Sequence, residues 1–354
     1  MNKSKSIWIL ASYWFSHMVV DFICAATIFT IYVSWLLATK EMLVAILSYN
    51  ILAFWTQIIF WSLEDKFECP KLFAICWCIL VVLWSLLLNI FPRISVILIW
   101  LWNSLFHVWW GIISIATAPE KAAPAWIFVA PWALGLLLWT LLWKSWNFIY
   151  WYSLILWWIS CIFMLLSSKK SSTYSIINSF AEKESVSQKQ LQHILVWIIL
   201  LLVLSIIIRS FIWFIINYPW KAGTLLIIFT VCIVLWKAFW WIIADRFWWI
   251  RTWVSSLLLS LPCLLLWSHY IIFWMIGIFL FNITMSIALA WLIKVMPKRW
   301  GLAFGILCMW LLVWSVPVLL GCNFSWIMEI LLIILILISS CVLYIALNKL
   351  GIKK

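Results

Sequence analysis

His17 and Asp21 stand four residues apart in an otherwise apolar run, and Asn103 and His107 repeat that interval in another. On an α-helix this spacing puts both members of a pair on one face. An ionised carboxylate inside lipid is costly unless it is paired or protonated, so Asp21 is expected either to be held by His17, His107, Arg209 or Lys237 or to carry a proton. An imidazole beside a carboxylate takes up and releases a proton near neutral pH. We read Asp21 with His17 as a proton-accepting pair. Asn103, His107, Arg209, Asn282 and Lys237 are read as groups that meet a polar, and at Arg209 an anionic, solute. Competing with this, each histidine suits a buried core position with its hydrogen bonds satisfied, and Arg209 and Lys237 lie far enough toward opposite span ends to snorkel to an interface.

These groups must be positioned by elements that live in lipid. Hydrophobic residues make up 68% of the 354 and charged ones 9%, with mean hydropathy +1.18, which leaves too little polar surface for a water-soluble globule. Apolar runs near the length that crosses about 30 Å at about 1.5 Å per residue recur from Ile7 to Leu347. Strand-like alternation is absent, so helices rather than a barrel satisfy the backbone. The length rule predicts an all-α membrane protein with twelve spans: 7–37, 42–63, 72–91, 94–117, 122–143, 147–168, 192–217, 222–243, 252–268, 270–293, 300–321 and 325–347. One long polar stretch, Lys169 to Leu191, divides the chain into halves, 1–168 and 192–354, with 169–191 as a linker.

With the N-terminus in the cytoplasm, seventeen Lys and Arg fall on that side and four on the other, so the positive-inside rule places both termini and the linker there. The net charge of +13 is then a matter of topology, and no basic soluble surface for nucleic acid is expected. The ten cysteines are scattered, and no metal-ligand spacing, Walker loop or nucleophile elbow occurs, so neither cofactor nor metal is expected. The first apolar run continues past a signal-peptide core without a convincing cleavage site, and is read as a span.

Tryptophan occurs 35 times and glycine 8 times. Membrane helices use glycine where backbones pack closely and place Trp at the interfaces, yet here Trp sits mid-span. In AWIFVAPWALGLLLWTLLWK, Trp132, Gly135, Trp139 and Trp143 follow at three- or four-residue steps, a spacing that suits small residues and not indoles. Some bacterial lineages read UGA as glycine, and many of these Trp positions are expected to be glycine in the native protein.

The loop WSLEDKFECPK begins at Trp61, and WIIADRFWWIR begins at Trp241, 180 residues later. Each has an acid followed by a base at the end of an even-numbered span: Asp65 with Lys66 and Lys71, and Asp245 with Arg246 and Arg251. With Trp61, Trp241 and Trp248 read as glycine, both resemble the G-x-L-x-D-R-x-G-R-R loop of the major facilitator superfamily. The first departs by carrying Glu68 at the second glycine. Ala130, Pro131 and Trp132 resemble that superfamily's antiporter motif G-x-x-x-G-P-x-G-G, with Ala130 at a glycine, and LWNSLFHVWW, read with glycines, looks like relatives of fosmidomycin-resistance efflux carriers.

The resemblance implies two six-helix bundles, a midplane site lined by the first, fourth, seventh and tenth helices, and cytoplasmic loops that help close the inner face. It implies a bacterial inner-membrane carrier, a monomer, moving a small polar or amphiphilic solute by alternating access on a proton or other ion gradient, as symporter or antiporter. Two other readings stay open. A membrane-embedded enzyme acting on a lipid-linked substrate would use His17, Asp21 and His107 as acid and base, and a receptor of the same fold would not transport.

Overall fold

The computed structural model describes residues 3–34, 39–68, most of 76–119, 124, 130–144, 150–168, 173–188, 192–216, 225–234, 249–266, 270–313 except 283, and 316–349. Among these residues the secondary structure is entirely helical. The first half supplies α1 (Lys3–Ser34), α2 (Thr39–Phe67), α3 (Pro92–Ala116), α4 (Trp132–Lys144) and α5 (Tyr150–Ser168). Then come α6 (Thr173–Gln188), α7 (Gln192–Ile215) and α8 (Leu225–Val234). The second half continues with α9 (Trp249–Leu265), α10 (Ile271–Phe281), α11 (Thr284–Val295), α12 (Trp300–Val313), the short α13 (Val316–Leu319) and α14 (Met328–Lys349).

Local sequence explains several of these boundaries. Pro92 occupies the first turn of α3, and the Pro131 carbonyl accepts the Gly135 N–H at the start of α4; proline fits a helix start because it needs no donor there. The tenth span, expected to run unbroken over 270–293, ends one helix at Phe281 and begins another at Thr284. Asn282 caps the first piece, and its side-chain amide donates to the Ile278 carbonyl at 3.1 Å, competing with the backbone ladder. The polar stretch 169–191, expected as a linker, carries α6, whose Ile177, Phe180 and Ala181 are buried at helical spacing.

Four described segments are long and apolar enough to cross a membrane: Ile7–Ala25, Ile97–Ala116, Ile194–Trp213 and Met328–Lys349. Large apolar side chains such as Ile59, Ile97, Leu166, Ile228 and Ile330 point outward, as lipid-facing positions do. Packing is mostly within halves: α1 lies against α3, α4 and α5, and α2 against α3, while α7 lies against α11, α12 and α14, and α9 against α10 and α14. Across the halves, α2 and α3 both pack on α12.

Candidate functional site

The first cluster forms where α1 meets α3. His17 Nε2 lies 3.0 Å from Asp21 Oδ2, one turn along the same helix. His107 Nε2, from α3, lies 3.0 Å from the same His17 nitrogen, with the two rings nearly perpendicular. His107 Nδ1 lies 2.8 Å from the Asn103 carbonyl oxygen. A carbonyl only accepts, so Nδ1 donates, and in the neutral ring Nε2 presents its lone pair to His17. The Asn103 amide in turn donates to the Tyr49 hydroxyl of α2 at 3.1 Å. His17 and Asn103 are buried, and the Asp21 side chain is 15% exposed. Phe106 packs against both imidazoles, shielding them on one side.

Gly135 of α4 lets the backbones of α4 and α1 touch behind this cluster. A Cβ there would fall 2.5 Å from the Met18 carbonyl oxygen and 3.2 Å from Asp21 Cβ. The close approach fixes the turn of α1 that carries Asp21.

A second polar cluster belongs to the other half. Arg209 of α7 donates to Asn282 Oδ1 at the break between α10 and α11, and both residues are buried. Nearby, Ser205 of α7 and Ser339 of α14 share a hydrogen bond of 3.2 Å, and Ser210 of α7 donates to the Leu311 carbonyl of α12 at 2.6 Å. Lys237, expected to contact solute, lies outside the described residues.

The third cluster joins the halves at one end. Asp65, in the last turn of α2, accepts the Gly301 N–H at 3.0 Å and the Leu302 N–H at 2.8 Å. These are orphan donors of the first turn of α12, where the helix dipole favours a carboxylate. A Cβ on Gly301 would lie 2.7 Å from the Trp61 ring and 2.8 Å from the Trp61 carbonyl oxygen, so glycine permits the approach. Burial nevertheless pushes the Asp65 carboxyl up to about 6, against the downward pull of the two N–H bonds and Arg299. Glu68 has φ +52°, in the left-handed region that favours glycine, at the position where the loop motif has one. Lys66 Nζ stands over the Phe67 ring rather than on Asp65. Lys71, Asp245 and Arg246 lie outside the described residues; Arg251 is in the first turn of α9, and its side chain is not described.

Sequence reasoning gathered His17, Asp21, Asn103 and His107 as pairs on separate helices, and the structure brings all four together. It missed Tyr49, and it missed Gly301 and Leu302 as the partners of Asp65. Those donors are backbone amides, which no residue type announces.

No family model matches the sequence, and no curated protein matches it. Two solved structures match the three-dimensional arrangement over 96% of this chain and 99% of theirs. A variant of the E. coli fucose:proton symporter, FucP, does so at 11% identity with TM-score 0.61, and FucP in the outward conformation, described as a major facilitator superfamily transporter, at 12% and 0.62. The fold is that of the major facilitator superfamily. The three clusters join α1 to α3, α7 to the junction of α10 and α11, and the end of α2 to the start of α12.

Proposed function

We propose that this chain is a secondary transporter that moves a small polar or amphiphilic solute by alternating access, coupled to protons through His17, Asp21 and His107. The observation that carries the reading is the contact of two imidazoles and a carboxylate between α1 and α3. Buried ionisable groups in a membrane are expensive, and a chain of groups that can share one proton is a use that accounts for retaining them. The likeness to a fucose:proton symporter and the major facilitator fold support the carrier reading over an enzyme.

Arg209 with Asn282, and Asn103 beside His107, are the groups we assign to the solute, Arg209 favouring an anionic part of it. Lys237 is assigned to the same pathway. Two six-helix bundles, 1–168 and 192–354, rock about that midplane site, with both termini and residues 169–191 in the cytoplasm of a cell whose inner membrane holds the protein as a monomer. Asp65 on the start of α12 closes the cytoplasmic face, helped by Lys66, Lys71, Asp245, Arg246 and Arg251.

The test is pH change inside proteoliposomes on adding candidate solutes, wild type beside Asp21→Asn. Solute-dependent proton movement in the wild type that is lost in the variant is expected. Solute movement without protons would keep the carrier and remove the coupling; no movement across a broad panel would remove both.

A further inference from the structure

Three donor atoms converge between α1 and α3, and the arrangement asks for a cation. His17 Nε2 faces two acceptors at once, the His107 lone pair at 3.0 Å and Asp21 Oδ2 at 3.0 Å. A single N–H cannot serve both well, and Asp21 Oδ2 is a buried oxygen with no hydrogen bond of good geometry. Ligand atoms from His17, Asp21 and His107 all lie within 4.8 Å of one another.

A zinc-sized ion sits about 2.0–2.2 Å from imidazole nitrogen or carboxylate oxygen, and tetrahedral angles then separate the ligand atoms by about 3.3–3.5 Å. The two imidazole nitrogens need to part by only a few tenths of an ångström. Asp21, on a two-torsion side chain with 15% exposure, has freedom to swing in. The Asn103 carbonyl on His107 Nδ1 is the outer contact that metal-binding histidines commonly show, fixing the ring with Nε2 aimed inward.

We propose that His17, Asp21 and His107 form a binding site for one divalent first-row transition-metal ion of the zinc class, which would make such an ion part of the solute load. Two imidazoles and one carboxylate suit zinc, cobalt, nickel or ferrous iron, while calcium and magnesium want oxygen ligands throughout. Three protein ligands leave one position for water, as suits an ion that must later leave. Spacing along the sequence predicted no metal, because two ligands are one turn apart and the third stands 90 positions away. The role as solute rests on the carrier reading; the binding does not.

Purified chain without a polyhistidine tag, with Cys322→Ser and Cys341→Ser to remove the thiols that are exposed among the described residues, is titrated with zinc in detergent against a chromophoric chelator. One saturable site is expected, weakened at least about tenfold in Asp21→Asn and in His107→Gln, each checked for folding by thermal unfolding. The cupric form of the unsubstituted site should show nitrogen hyperfine coupling in its EPR spectrum, which keeps the test decisive if a variant does not fold. Absence of saturable binding, binding equal in the variants, or a cupric spectrum without nitrogen coupling overturns the site. Zinc binding in a chain that moves no solute in liposomes would uphold the site and overturn the carrier. Proton-coupled movement without zinc binding would do the reverse.

Discussion

Asp65 sits where a charge is both wanted and resented. Two backbone N–H groups and Arg299 favour its carboxylate, yet burial outweighs them and lifts the carboxyl from the ordinary 3.8 to about 6. In a state with α2 and α12 apart the carboxyl would meet water and return to its ordinary range, so the proposed closure would be linked to proton uptake. The sign follows from the raised value: the contribution to closure is full below about 3.8 and is lost as the pH rises through about 6. Spin labels at Ser62→Cys and Lys298→Cys, both exposed and flanking the contact, should report longer distances as the pH is raised through that window. Asp65→Asn should flatten the response. An unchanged step in that variant would assign it to another group.

At the level of elements, the crossing of α1 and α4 depends on one missing side chain. Gly135→Ala would press a Cβ to 2.5 Å from the Met18 carbonyl, and backbone cannot turn aside as a flexible side chain does. Overpacking of this kind costs about 1–3 kcal/mol, so thermal unfolding in detergent should move down by several degrees. Because the Phe22 nitrogen and Asp21 Cβ are the next neighbours, at 3.1 and 3.2 Å, solute-dependent proton movement should fall as well. Unchanged stability would mean that α4 stands farther from α1. How far the elements were legible varied with the kind of contact that makes them. The His17–Asp21 turn follows from helical spacing, and the apolar runs follow from the length rule. The helix α6 was hidden by its charges, although Ile177, Phe180 and Ala181 have the spacing of a buried stripe and Phe180 packs edge-on to Trp300 at 5.4 Å. The break at Asn282 was not legible, since it shows only in hydrogen bonds of the folded chain: the side-chain amide shares the Ile278 carbonyl with the Asn282 N–H, and Arg209 takes the side-chain oxygen. The meeting of His107 with His17 was equally hidden, because tertiary packing of α1 on α3 creates it.

Across the whole molecule the unusual feature is the indole-filled interior. Trp61, Trp77, Trp102, Trp110 and Trp300 are fully buried, and Trp109 nearly so. Their six Nε1–H groups have no hydrogen-bond partner. A buried donor left unsatisfied costs about 1–3 kcal/mol, so six of them rival a typical net folding stability of about 5–15 kcal/mol. Buried Trp ordinarily finds a partner for its N–H. The packing is as tense as the polar accounting: a Cβ on Gly111 would lie 2.4 Å from the Trp61 ring, and Gly301 and Gly305 face the same indole. Trp61 also lies where the loop motif has glycine, at the crossing of α2 with α12. Glycine at these positions removes the orphan donors and supplies the small-residue seams that membrane helices use to approach and slide. Peptides of the protein isolated from its own cell should therefore carry, at Trp61, Trp102, Trp109 and Trp300, the mass of glycine. Intact tryptophan at these four would leave the protein with a rigid, indole-wedged α2–α12 crossing, and alternating access would then have to use another seam.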